Sequence, residues 1–340
     1  MRKRALTLTA LAVVALLLAS LFAALRGSAA SAASKAQFSA CLVTDIGGLN
    51  DKSFNHLAYV GLQQAEKTGV KGRVIQSASG SQYIPNLSAC AKSGAGLTIG
   101  VGFLMADAMD AVATAFPHNK FAIVDVDATS LKHKPKNVQG LLFKEQEAGY
   151  LVGYAAGLWA KQKGASAVGS VGGLKIPPVD RYIAGFQYGA KKADPGIKTL
   201  NDYSQSFTAQ QKCKEKALNQ IAAGSVVEFQ VAGSCGLGVL DAAKEKGIFG
   251  IGVDADQWYL GTHIMTSALK RVDVAVADAI KNAKSGKLKG GANTIYGANV
   301  NGVGYGRVSV KVPAKIKSAL AAQYTLLKAG KITGIPTTVK

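Results

Sequence analysis

Runs of β-branched and apolar residues alternate with amphipathic stretches along most of the chain, and the alternation occurs twice. In the first round the pattern predicts strands over 40–45, 73–77, 97–101 and 120–125, with helices over 54–68, 83–92 and 105–116. A helix over 145–163 leads into the second round. There, strands are predicted over 167–172, 199–203, 226–231 and 249–253, and helices over 181–192, 209–223 and 237–246. Strand–helix alternation specifies a parallel sheet covered on both faces, and its repetition specifies two similar α/β lobes. The remainder beyond 262 is too short for a third lobe. It reads as a strand over 264–268, a helix over 273–285 and an antiparallel edge or hairpin over 302–310, where Val and Tyr alternate. The expected division is a first lobe over 37–144, completed by about 263–290, and a second over 145–262, completed by about 291–340. Ligands bind beyond the carboxyl ends of parallel strands, so the expected site is the cleft between the lobes.

The first 36 residues differ in kind. Arg2, Lys3 and Arg4 form a basic head, 6–25 carry no charge, and small residues fill 28–34. That order is a secretory signal, with Ala30, Ala32 and Ala33 offering cleavage positions. The apolar run is also long enough to serve as an uncleaved anchor. A third option is lipidation, because Ser39-Ala40-Cys41 is roughly a lipobox. Phe38 sits where a small aliphatic residue is usual, and the stretch reads as the first strand, which makes Cys41 structural.

An exported chain with four cysteines is expected to hold them as disulfides. Of the three pairings, Cys41–Cys90 with Cys213–Cys235 keeps each bridge within one lobe. No CxxC or HxxxH spacing supports zinc. The formal net charge is +20, with the basic residues spread along the chain rather than blocked together. A solvated basic surface facing an anionic envelope accounts for it, and no nucleic-acid motif accompanies it.

Two segments carry candidate chemistry. Residues 44–55 follow the first strand and open the first helix; Gly47 and Gly48 permit close backbone approach, and Asp51 or Ser53 can cap the helix. Phe54 either stands in the cleft as a stacking platform or tucks into the core. Residues 252–257 follow a buried strand, and Asp254 there either forms a turn or points into the cleft to accept hydrogen bonds from vicinal hydroxyls.

The segments DIGGLNDKSFN (45–55), VGFLMADAM (101–109), FKEQEAGYLVGYAAG (143–157), GVDADQ (252–257) and TSALKRVDVAV (266–276) fall in one order. In them the chain resembles the basic membrane protein family, the PnrA-like substrate-binding receptors of ABC importers. The resemblance runs from about Cys41 to at least Asp273. It implies a two-lobed periplasmic-binding-protein fold of type I, the ribose-binding kind, with no catalysis and no cofactor. It also implies a nucleoside ligand, a membrane permease as partner, and a monomer that binds no nucleic acid. Carried onto this sequence, Asp45 and Asp125 would face the base, with Asn50 and Asn55 in the same ligand-binding loop. Phe54 would stack on the base. Asp254 would hold the ribose hydroxyls, assisted by Lys270. Gly233 and Ser234 would close the second-lobe loop, and Phe207, or else Tyr182, would be the opposing aromatic. The loop Ala232-Gly233-Ser234-Cys235-Gly236 departs from the Gly-Gly-Thr-Gly-like pattern expected there.

The competing classes are an enzyme acting on a nucleoside and a sugar-binding or sensory receptor of the same fold. No Ser-His-Asp or Cys-His constellation is visible, and of the four histidines only His56 lies near the candidate loop. The pairs Gly47-Gly48 and Gly172-Gly173 lack the GxGxxG spacing of a dinucleotide site.

Overall fold

The computed structural model describes residues 37–339. The export-signal and anchor readings of 1–36 lie outside the described residues. The chain begins with β1 (Ser39–Thr44), α1 (Phe54–Glu66), β2 (Lys71–Ile75), α2 (Tyr83–Lys92), β3 (Leu97–Val101), α3 (Ala106–Ala115), β4 (Phe121–Val124) and β5 (Val138–Phe143). Then α4 (Glu145–Lys163) leads to β6 (Ala167–Gly172), α5 (Pro177–Ala193), β7 (Lys198–Tyr203), α6 (Gln210–Ala222), β8 (Ser225–Val231), α7 (Gly236–Glu245), β9 (Phe249–Asp254) and β10 (Ile264–Lys270). The last elements are α8 (Val272–Lys284), β11 (Ala292–Tyr296), β12 (Val303–Tyr305) and α9 (Ala314–Lys328).

Two six-stranded sheets result, ordered β11-β5-β4-β3-β1-β2 and β12-β10-β9-β8-β6-β7. The orders match position by position, so the repetition in the sequence is a repetition of topology. Every pairing is parallel except β12 against β10. The two lobes are thus of the expected α/β kind.

The tail is distributed differently from the sequence reading. β10 belongs to the second sheet, not the first, and β11 belongs to the first, not the second. The cause is the fifth strand of each round. Val138–Phe143, whose sequence is VQGLLF, carries little strand signal because Gly140 interrupts it and it is not rich in β-branched residues. Once β5 is in place, each lobe completes five parallel strands before the chain crosses over. Over 302–310 only Val303–Tyr305 forms a strand, antiparallel as expected.

The long helix α4 is buried on most sides, and it meets α5 at backbone contact. A Cβ placed on Gly153 would lie 2.0 Å from the Phe186 carbonyl oxygen, and one on Gly189 2.1 Å from that of Tyr150. Only glycine permits helices to approach so closely. Glu145, at the start of α4, lies beside the carboxyl end of β10, 2.9 Å from Lys270 Nζ.

Cys41 in β1 is bonded to Cys90 in α2, and Cys213 in α6 to Cys235 at the start of α7. Each bridge ties a covering helix to the rest of its own lobe. Cys41, the cysteine of the lipobox-like tripeptide, is therefore already engaged and is 1% exposed.

Candidate functional site

The carboxyl ends of both sheets converge on one cleft. It holds about 610 Å³ of space, counting the part open to solvent. Asp45, Phe54, Asn55, Asp125, Tyr182, Phe207, Gly233, Asp254 and Lys270 all line it. Asn50 does not: it is exposed on the turn before α1. Ser234 is also absent from the lining; its hydroxyl donates to the Phe207 carbonyl at 3.0 Å and so fixes the backbone that carries Phe207.

On the first lobe, Asp45 follows β1. Its Oδ1 accepts from Asn55 Nδ2 at 2.8 Å and from the Gly47 N–H at 2.9 Å. Asn55 Nδ2 also reaches Asp51 Oδ2 at 3.1 Å, and its Oδ1 accepts from the Asp45 N–H at 3.3 Å. Asn55 thus has its polar atoms engaged by the protein and acts as a clamp on two carboxylates. Burial pushes the Asp45 carboxyl up to about 6, against the pull of Asn55 and Gly47. Gly102, with φ +118°, leaves room beside it: a Cβ there would stand 2.8 Å from Asp45 Oδ2 and 3.4 Å from the Phe54 ring.

Asp125 and Asp254 occupy equivalent places at the ends of β4 and β9, each in the left-handed backbone region, with φ 68° and 60°. Strain of this kind in non-glycine residues gathers at functional sites. Lys270, at the end of β10 and 1% exposed, stands between the two lobes. Its Nζ lies 2.6 Å from Asp125 Oδ1 and 2.9 Å from Glu145 Oε1. Burial works against its charge, but Asp125, Glu145 and Asp254 together hold the ammonium above the ordinary lysine range. The same ammonium lies 5.1 Å from the Phe54 ring centre and 4.9 Å from that of Phe143.

Asp254 is also raised by burial, to about 6, with Lys270 opposing. Its Oδ1 accepts from the Tyr182 hydroxyl at 3.1 Å and its Oδ2 from the Ser53 hydroxyl at 3.0 Å. Tyr182 is 2% exposed and packs edge-on against Phe229. Its part in the cleft is that hydroxyl rather than a stacking face. Phe207, partly exposed, comes from the second lobe, where the bare Gly173 accommodates its ring.

Sequence reasoning missed Glu145 as a site residue, although it lies inside a segment that had drawn notice. Burial raises its carboxyl while Lys270 opposes, and Arg181 approaches its other oxygen at 3.6 Å. The signal available was an acid at the first position of a helix that is otherwise buried. His56 is exposed, and none of the four histidines lines the cleft. Among the described residues no group of His, Cys, Asp and Glu is placed to hold a metal ion.

A sequence model of the Bmp family, described as ABC transporter substrate-binding protein PnrA-like, matches residues 38–333. The ABC transporter nucleoside-binding protein BmpA of Lactococcus lactis subsp. cremoris is 33% identical over 359 aligned positions, covering 98% of this chain and 99% of that protein. A CD4+ T-cell-stimulating antigen of Listeria monocytogenes is 35% identical over 311 positions, covering 84% and 85%. Among solved structures, an ABC transporter solute-binding protein from Aeropyrum pernix K1 superposes with a TM-score of 0.78 at 27% identity, over 88% of this chain and 94% of that one. With the family model matching nearly all of the described residues and relatives similar over most of their length, the chain belongs to the Bmp family of PnrA-like ABC transporter substrate-binding proteins.

Proposed function

We propose that this protein captures a purine nucleoside outside the cytoplasm and delivers it unchanged to an ABC permease in the membrane. The observation that carries the reading is that Phe54 and Phe207, one from each lobe, line the same cleft as Asp254. Two flat apolar faces suit a heterocyclic base, and a carboxylate beyond a strand end suits the hydroxyls of a sugar. In this reading Asp45 and Asp125 accept hydrogen bonds from the base, Lys270 assists near the sugar, and Gly233 gives the ligand close backbone approach. The printed name of the Lactococcus relative supports the nucleoside part. The basic, then apolar, then small-residue start of the chain supports export. The receptor acts as a monomer, needs no cofactor and binds no nucleic acid.

Thermal-shift screening tests the proposal. A ligand that binds only the folded state, present at a hundred times its dissociation constant, adds about 2.7 kcal/mol of stability. Purine nucleosides should raise the melting temperature most, pyrimidine nucleosides and free bases less. A shift with free pentoses or hexoses and none with any nucleoside would replace this reading with a sugar receptor.

A further inference from the structure

The start of α1 holds a serine that does not do what its position predicts. Ser53 precedes the helix, where a serine hydroxyl ordinarily accepts from a helix N–H. Its hydroxyl makes no such bond. Asp51 does the capping instead: Oδ1 accepts from the N–H groups of Ser53 at 3.0 Å and His56 at 3.1 Å, and Oδ2 from that of Asn55 at 2.7 Å. The Ser53 hydroxyl, wholly buried, is released to cross the cleft. It lies 3.0 Å from Asp254 Oδ2 and 3.0 Å from the Val253 carbonyl oxygen of the opposite lobe. A hydroxyl has one proton, and the carboxylate is the stronger acceptor.

From these contacts we infer that Ser53 is a specificity-determining positioning residue, which with Tyr182 pins the Asp254 carboxylate so that the cleft selects a vicinal diol over a single hydroxyl. The inference rests on the nucleoside reading above. The last torsion of an aspartate is soft and roughly two-fold, so an unheld carboxylate turns readily. Here Ser53 grips Oδ2 and Tyr182 grips Oδ1, which fixes the plane. A carboxylate offers about four lone-pair sites, and two are taken. About one then remains on each oxygen of a carboxylate held in one plane, which suits two adjacent hydroxyls better than one. A freely turning carboxylate serves one hydroxyl nearly as well as two.

The test compares one purine ribonucleoside with its 2′-deoxy counterpart, titrated calorimetrically into the parent protein, Ser53→Ala and Tyr182→Phe. The parent should prefer the ribonucleoside by about tenfold or more, the scale of a hydrogen bond to a charged group. In Ser53→Ala the preference should shrink to about threefold or less, and Tyr182→Phe should shrink it similarly. A residue that only stabilises the closed lobes would weaken both ligands by the same factor. An unchanged ratio in Ser53→Ala would therefore overturn the inference while leaving the nucleoside reading intact. If Ser53→Ala does not fold, Ser53→Gly, which lacks the same hydroxyl, takes its place. Absence of binding of either nucleoside to the parent would instead remove the reading on which the inference rests, and the inference with it.

Discussion

Lys270 and Asp125 join the two lobes: the ammonium at the end of β10 in the second sheet lies 2.6 Å and 2.7 Å from the two carboxylate oxygens of Asp125, which follows β4 in the first. Both side chains are buried, and Glu145 completes the cluster. Removing one partner of a buried pair leaves uncompensated charge and costs about 3–5 kcal/mol. Lys270→Met should therefore lower the urea-unfolding free energy by about that amount. A loss below about 1 kcal/mol would mean that the acids take up protons or water with ease.

Phe54 and Asp254 should fail in different ways. If the ligand is the proposed nucleoside, Phe54→Ala should remove stacking worth about 1–3 kcal/mol, and affinity should fall roughly tenfold to a hundredfold for the nucleoside and its free base alike. Asp254→Asn keeps the shape but weakens the acceptors, so nucleoside affinity should fall while free-base affinity changes little. Calorimetric titration of both ligands distinguishes the two. Equal weakening of base and nucleoside by Asp254→Asn would rule out its assignment to the sugar.

Glu228 gives the protein a pH dependence. It is fully buried in β8, and burial pushes its carboxyl up to about 8. The unfolded chain releases that proton near the ordinary glutamate value of about 4.3. Between those pH values the folded state holds more protons, so stability is greatest below the unfolded value and is lost as pH rises through about 8. Asp45 and Asp254, both raised to about 6, add loss in the same direction over a narrower window. Glu228→Gln should flatten the curve, exceeding the parent by a few kcal/mol, on the order of 2–4, at pH 8.5 and little at pH 5. Urea unfolding across that range is the measurement, and parallel curves for the two proteins would refute the assignment.

The helix contact between α4 and α5 should not tolerate a methyl group. At Gly153 a Cβ would lie 2.0 Å from the backbone oxygen of Phe186, so neither partner can turn away. Gly153→Ala should cost about 1–3 kcal/mol by overpacking. Gly164→Ala, at a site with φ 64° and open space, should lose stability only through backbone strain. Thermal unfolding of the pair compares them.

Much of this arrangement was legible in the residues. Doubled strand–helix alternation led to two parallel sheets, the end of a buried strand pointed to Asp254, and the family resemblance added Asp45 and Asp125; all three line one cleft. What stayed hidden had physical causes. β5 was obscured by Gly140, and without it the fifth strand of each round could not be counted, which exchanged β10 with β11. Asn50 and Asn55 are neighbours in one loop, yet one is exposed and the other is locked between Asp45 and Asp51; spacing cannot separate residues on a turn without a fixed period. Whether Asp51 or Ser53 caps α1 depends on a carboxylate two hundred residues away in sequence, which no local pattern contains.

The placement of the two disulfides has a mechanical consequence. Cys41–Cys90 and Cys213–Cys235 each close a loop inside a single lobe, and neither spans the cleft. Oxidation therefore stiffens two plates and leaves the joint between them unbraced. If the proposed receptor opens and closes on its ligand, the swing would turn on the crossing segments before α4, after β10 and after β11, and would break and remake the inter-lobe contacts of Lys270 and Ser53. Reducing agents should soften the plates, seen as earlier melting, without changing the angle through which they move.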